Sequence, residues 1–233
     1  MAAASWLLFA APAFAAAAGK SAGSPPIWDQ AINGLSDLIN WVAVHTGQDY
    51  GLALIIVTIL IRLLTMPLML KSLRNSKRIQ TLQPRMAELK KQHGGDPRKY
   101  QEQVMLLYKS EGVNPLAGCM PMILQMVILT ILYRAIYTNQ YMLHSHFLGL
   151  ALGVPDPTYI LPVLSGVTSF FQQKVSMVQT DSSQKLLLYI YPVMIFFFAT
   201  RVFAALALYW VFSNLFTIVQ MYFIRVKPVA PEA

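Results

Sequence analysis

YGLALIIVTILIRLLTMPLML, residues 50–70, is an apolar run that carries one full charge, Arg62, in its second half. Its length suits a membrane-spanning helix, since about 20 residues cross a hydrocarbon core of roughly 30 Å. A guanidinium at that depth costs about 2.5–3.5 kcal/mol even on insertion scales, so something must offset it. Snorkelling to the interface is opposed by Leu63, Leu64, Met66, Leu68, Met69 and Leu70, which prolong the apolar run for about two turns before Lys71. An ion pair within the membrane is opposed as well, because none of the other apolar stretches proposed below contains Asp or Glu. Arg62 is therefore expected to face a wet cavity and to serve a function there.

The whole composition agrees with a chain that lives in lipid. Of 233 residues 56% are apolar and 12% charged, which is the balance of a polytopic membrane protein. The net charge of +8 is not spread evenly: ten of the eighteen Lys and Arg lie between Lys71 and Lys109, flanked on both sides by apolar spans. That is the pattern of a cytoplasmic loop rather than of a nucleic-acid-binding domain. With one cysteine, Cys119, neither an internal disulfide nor a cysteine-based metal site can form. His45, His93, His144 and His146 all fall outside the apolar spans, so an intramembrane serine protease would lack a base. The His144-x-His146 pair has no third ligand nearby and reads as a solvated loop, and there is no glycine-rich phosphate loop. No enzymatic activity, metal or cofactor is expected.

Upstream of the opening run, Trp6 to Ala18 is small and apolar, and Ala13-Phe14-Ala15 offers an A-x-A cleavage pattern. Residues 1–18 are read as a signal peptide or a retained apolar segment, and 19–26 as a linker. Within 27–48, Trp28, Ile32, Leu35, Leu38, Ile39 and Val42 recur at helical spacing between Asp29, Gln30, Asn33, Asp37 and Asn40. This is an amphipathic helix too polar to span, lying on the outer face of the membrane or packed on the outer loops.

Past the first span, Ile79, Leu82, Met86 and Leu89 give the segment from Leu73 to Gln92 a narrow apolar stripe. Gly94-Gly95-Asp96-Pro97 ends it, with Asp96 placed to cap a second helix that runs to about Gly112. The expected product is a cytoplasmic helical hairpin, 73–112, whose basic residues Arg74, Lys77, Arg78, Arg85, Lys90 and Lys91 could meet ribosomal RNA or anionic lipid, or simply fix topology. Four more spans follow: Leu116 to Tyr137 with Gln125, Tyr159 to Met177, Leu186 to Thr200, and Leu206 to Ile224. The third is polar, with Ser165, Thr168, Ser169, Gln172 and Gln173, and the fifth aligns Trp210, Ser213, Asn214, Thr217 and Gln220 on one face. Interhelical hydrogen bonding alone could account for these groups. The distribution of basic residues places the N-terminus outside and the short tail, 225–233, in the cytoplasm.

Five stretches carry a resemblance. They are IIVTILIRLLTMPLMLK (55–71), LQPRMAELKKQHGGD (82–96), LYKSEGVNPLAGCMPMILQM (107–126), YILPVLSGVTSFFQQK (159–174) and LALYWVFSNLFTIVQ (206–220), and together they resemble the YidC insertases and their mitochondrial and chloroplast relatives. The resemblance runs from about Asp49 to Ile224 and implies an all-α protein of the bacterial plasma membrane, with five transmembrane helices around a hydrophilic groove open to the cytoplasm and sideways to lipid. It implies groove roles for Arg62, for Gln173 or its neighbour Gln172, and for Trp210; Gln125 and Asn214 join them as polar groups on facing spans. It further implies that the hairpin handles substrate, that cytoplasmic loops meet the ribosome transiently, and that the Sec translocon is a partner.

Departures from the family are also visible. No large outer domain follows residues 1–26, which suits the Gram-positive form, and no cysteine follows the signal segment to carry a lipid. Phe203-Ala204-Ala205 stands where the family often has Pro-Ala-Gly, and the tail is too weakly basic to suggest ribosome binding. The function expected is therefore that of a membrane protein insertase and chaperone, acting as a monomer on nascent membrane proteins with short acidic or polar outer segments. The alternative is a small anion channel or transporter, which a buried arginine among polar spans would also serve.

Overall fold

The opening run folds into a single helix much longer than a span. In the computed structural model, which describes residues 26–114, 120–176 and 182–225, Tyr50–Thr81 is one 32-residue helix, α2. At 1.5 Å per residue it is about 48 Å long, so it outruns roughly 30 Å of hydrocarbon and projects beyond it at one end. Before it lies α1 (Pro26–His45), and after it come α3 (Gln83–His93), α4 (Pro97–Ser110), α5 (Met120–Thr138) and the short α6 (Gln140–Leu143). A two-stranded ribbon, β1 (His146–Phe147) and β2 (Leu150–Ala151), precedes α7 (Ile160–Ser176), α8 (Ser182–Ala199) and α9 (Ala204–Arg225). The described fold is thus all-α apart from the ribbon. The signal segment, the start of the second span at 116–119, the loop at 177–181 and the tail from 226 lie outside the described residues.

Among the described residues three helices are long and apolar enough to cross a membrane: Tyr50–Asn75, Met120–Thr138 and Ala204–Phe223. The fourth expected span holds a shorter apolar stretch, Leu188–Ala199. The third, α7, has 17 residues and buries Ser165, Thr168 and Ser169. These two therefore differ from the first, second and fifth spans in length or polarity.

The core gathers at the end of the bundle away from α3 and α4. Ala53, Leu54 and Val57 of α2 pack there with Leu129, Leu132 and Ile136 of α5, Leu161 of α7, Ala199 of α8 and the unbroken buried run Ala204 to Tyr209 of α9. Helix α1 closes this end. Its Ile39, Val42 and Ala43 are buried against α2 and α5, so the stripe seen in the sequence packs on the protein itself. Ile27, Trp41 and Val44 remain exposed on other sides of the helix. Asn139 fixes α1 in place: its Nδ2 donates to Asn40 Oδ1 (2.8 Å) and Ser36 Oγ (3.2 Å), while its Oδ1 accepts from Met142 N and caps α6.

The turn before α9 is held without the Pro-Ala-Gly sequence common in the family. Ala204 N donates to Val154 O (2.8 Å) and Ala205 N to Leu152 O (3.1 Å), so loop carbonyls satisfy N–H groups that every helix start leaves open. Phe203 stacks on Tyr133 and Tyr137 of α5, with ring centroids 5.8 and 6.4 Å away. In the ribbon, Leu148 and Gly149 both have positive φ, 50° and 82°, as a two-residue hairpin turn requires.

The other end is arranged differently from the sequence expectation. The stripe from Leu73 to Gln92 suggests one hairpin arm, but residues up to Thr81 continue α2 and the chain breaks at Leu82. Pro84, in the first turn of α3, supplies the reason, because it has no N–H to continue the ladder. Asp96 caps α4 as expected, accepting from Arg98 N (3.0 Å) and Lys99 N (3.2 Å). Helices α3 and α4 bury no residue fully and are joined by few bonds, among them Tyr108 Oη to Met86 Sδ (3.4 Å) and an Arg85–Glu111 ion pair. So sparse an attachment marks a unit that opens locally more easily than the packed end.

Two tests address the packed end. A Cβ at Gly51 would lie 2.1 Å from the Phe147 ring and 2.5 Å from its Cβ, so Gly51→Ala is expected to lower stability by about 1–3 kcal/mol in thermal unfolding in detergent. Adding Phe147→Gly, which removes the Cβ as well as the ring, should relieve most of the strain that Gly51→Ala introduces. Asp156, buried at the start of α7, accepts from Leu161 N (2.7 Å), Thr158 N (2.8 Å) and Thr158 Oγ1 (2.5 Å). Burial tends to raise its pKa, but these bonds and one from the Ile160 backbone outweigh it and hold the carboxyl below its ordinary value. The resulting stabilisation is complete above the unfolded pKa of about 3.9 and is lost as pH falls through the lower folded value. Asp156→Asn should therefore flatten the acid limb of a melting-temperature-against-pH curve.

Candidate functional site

Arg62 lies 12 residues into α2, roughly 18 Å along its axis, just past the packed core. From that level toward the hairpin end, α2 presents Leu60, Leu63, Leu64 and Leu68 outward, with Leu64 80% exposed. Exposed Met122, Ile123 and Met126 on α5 do the same. Apolar side chains so placed suit contact with lipid.

The guanidinium itself is part-buried among three helices. Its Nη2 donates to Gln125 Oε1 on α5 at 3.0 Å and also to Ser213 Oγ on α9. Gln125 in turn donates through Nε2 to Tyr209 Oη at 3.1 Å, and Tyr209 is 1% exposed in the α9 core run. The chain Ser213, Arg62, Gln125, Tyr209 therefore binds α2, α5 and α9 by polar contacts with one cation and no anion. Among the described residues no carboxylate meets Arg62.

A second polar cluster joins α7 and α9. Asn214 Nδ2 donates to Ser169 Oγ (2.9 Å) and Thr168 Oγ1 (3.1 Å), and Trp210 Nε1 donates to Ser169 Oγ (3.1 Å). Lower on α7, Gln172 Nε2 donates to Ser176 Oγ of its own helix (3.1 Å), its one bond among the described residues. Among the described residues, two buried polar atoms, Gln173 Oε1 and Gln220 Nε2, have no hydrogen-bond partner. In a closely packed interior such atoms are rare, so each is a place where water would bind.

The structure thus divides the residues singled out in the sequence. Arg62 and Gln125 come together; Trp210 and Asn214 meet Ser169 and Thr168 instead; Gln172 and Gln173 bond to neither group. The polar company of Arg62 is therefore Gln125, Ser213 and Tyr209, rather than the glutamines of α7. Ser213 was visible on the polar face of the fifth span. Tyr209 was not, because it sits one position before Trp210 on what reads as an apolar run. On the hairpin, Arg74, Arg78, Arg85, Lys90 and Lys91 are exposed, while the side chain of Lys77 lies outside the described ones. No group of three or more metal-ligating side chains occurs among the described residues.

Comparison with known proteins decides the family. Residues 41–230 match the family model of the 60Kd inner membrane protein. Membrane protein insertase MisCA of Bacillus subtilis is 46% identical over 213 residues, covering 88% of this chain and 82% of the relative. The chain belongs to the YidC family of membrane protein insertases. Membrane protein insertase YidC 1 of Halalkalibacterium halodurans is 45% identical over 209 residues, covering 88% of this chain and 81% of that protein. A crystal structure of an active YidC insertase, with its first transmembrane domain resolved, shares the fold at a TM-score of 0.65 and 24% identity. That match covers 84% of this chain and 46% of the solved one, so the insertase spans about half of that larger molecule. The anion-channel alternative is set aside by this membership. The insertase is a non-enzymatic, multi-pass protein of a bacterial membrane.

The α7–α9 cluster has a measurable value. Interhelical hydrogen bonds in membrane proteins average about 0.6 kcal/mol each, so Asn214→Leu, which removes two, should cost the insertase about 1 kcal/mol in reversible unfolding in micelles. A loss several times larger would show that the cluster also organises residues beyond its own bonds.

Proposed function

We propose that the insertase uses the half of the bundle around Arg62 as a hydrated groove for short polar segments of its substrates. Five spans would enclose it: α2, α5, α7, α8 and α9, with the hairpin of residues 73–112 in the cytoplasm and α1 at the outer face. The packed core then closes the outer end, and the basic segments at 71–109 and 174–185 and at Arg225 and Lys227 lie on the inner side, as the positive-inside rule requires.

The observation that carries this reading is a cation held by neutral groups alone. Among the described residues Arg62 has Gln125 and Ser213 as acceptors and no acid, so none of them compensates its charge. A nascent membrane protein with an acidic outer segment would supply the missing charge for a moment. Water at atoms such as Gln173 Oε1 and Gln220 Nε2 would lower the cost of bringing that segment partway across. The substrate's own apolar helix then passes sideways between the spans into lipid, and burial of about 20 apolar residues supplies the free energy. No nucleotide or cofactor is required, and one copy of the chain suffices. The exposed basic hairpin is the surface on which the ribosome, lipid headgroups or the Sec translocon would meet the protein.

Reconstitution in liposomes tests this with a single-span substrate that carries an acidic outer tail. Arg62→Ala should slow insertion by about tenfold or more, the loss expected for one charged hydrogen bond of about 1.5–3 kcal/mol. Arg62→Glu should abolish it by repelling the tail. Equal insertion by wild type and Arg62→Ala would refute the groove mechanism.

A further inference from the structure

The contact proposed between Arg62 and a substrate carboxylate, on which this inference rests, is limited by the way the guanidinium is already held. A guanidinium can meet a carboxylate with two parallel bonds along either of two edges. One edge is formed by Nη1 with Nη2, the other by Nε with Nη2, because Nη2 is the terminal nitrogen trans to Cδ. Both edges therefore need a hydrogen of Nη2. That nitrogen has two hydrogens, and here it makes two bonds, to Gln125 Oε1 and to Ser213 Oγ.

Neither acceptor can withdraw at little cost. Gln125 is pinned from behind, since its Nε2 donates to the Oη of buried Tyr209. Turning the amide over would aim an N–H at the cation and lose both contacts. Ser213 is buried within α9, and its backbone carbonyl is bonded by Thr217 Oγ1 at 2.9 Å. The guanidinium also lies beside the Tyr209 hydroxyl, and among the described residues Nη1 and Nε make no further bond that would engage them as Nη2 is engaged.

We propose that Gln125 and Ser213 are positioning residues that block both two-bond edges of Arg62, so that a substrate carboxylate meets it through one nitrogen and leaves readily. A two-bond pair in a partly desolvated site would be strong and directional, and would hold the segment in the groove. The one-bond contact senses charge and little of the shape of the acid. It suits a protein whose substrate must move on into lipid.

The full-length insertase in lipid nanodiscs, with a fluorescent single-span peptide whose tail carries either one Asp or one Asn, provides the test. The dissociation rate is compared for wild type, Ser213→Ala and Gln125→Met. Each substitution frees one Nη2 hydrogen and opens one edge. The Asp peptide should stay bound roughly 3–10-fold longer on either variant, the gain of about one further hydrogen bond, while the Asn peptide dissociates as from wild type. Ser213→Ala removes only a hydroxyl and keeps the Gln125–Tyr209 bond, so it decides the matter should Gln125→Met fold poorly. An Asp lifetime unchanged or shortened on Ser213→Ala overturns the inference, yet leaves the role of Arg62 standing if wild type still holds Asp longer than Asn. If wild type does not distinguish the two peptides, both the inference and the groove reading fail. Arg62→Lys gives an independent measure: near-normal retention of the Asp peptide supports a one-point contact, whereas a loss as large as that of Arg62→Ala overturns it.

Discussion

An uncompensated cation in an apolar bundle is the constraint on which the rest of this structure turns. Within a membrane, a charge must be hydrated, paired or bonded to dipoles, because the alternative is a cost of several kcal/mol. Here the chain uses dipoles. The amide of Gln125 and the hydroxyl of Ser213 accept from Arg62, and Tyr209 fixes the amide in turn. Three helices are thereby committed to one register. Their partners are neutral, so the charge is positioned without being cancelled.

The position of that cation coincides with a change in how the helices pack. On one side, α1, α2, α5, α7, α8 and α9 share a dense core, reinforced by Asn139, by the carbonyls that receive the start of α9 and by the stacked rings of Phe203, Tyr133 and Tyr137. On the other side the contacts thin out, polar atoms of Gln173 and Gln220 lack partners among the described residues, and α2 runs on toward helices α3 and α4, which bury no residue. The guanidinium thus lies where a densely packed end of the bundle gives way to a less densely packed one.

Much of this was legible along the chain because membranes impose one-dimensional rules. Apolar runs of span length, a concentrated basic segment and the Asp96-Pro97 cap are all local features, and the structure reproduces the helices they announce. The hairpin arm was misplaced at Leu82 because its apolar stripe continues smoothly across a backbone break that Pro84 creates. Helix α1 illustrates a different limit. Its amphipathic stripe fits a lipid surface or a protein surface equally well, and contacts distant in sequence, packing on α2 and α5 and the bonds from Asn139, select the second.

Sequence by itself determined that Arg62 lies in a span, that no other span offers it an acid, and that the chain is an insertase of this family. Those conclusions need only composition, order and motif. Which neutral groups hold the cation was decided by tertiary structure alone. Gln172, Gln173, Trp210 and Asn214 were as polar and as well placed by period as Gln125 and Ser213, yet helix rotation and crossing send Trp210 and Asn214 to Ser169 and leave the α7 glutamines elsewhere. A periodicity says which residues share a face of one helix. Only the packing of several helices says which faces meet, and at what height a donor on one finds an acceptor on another.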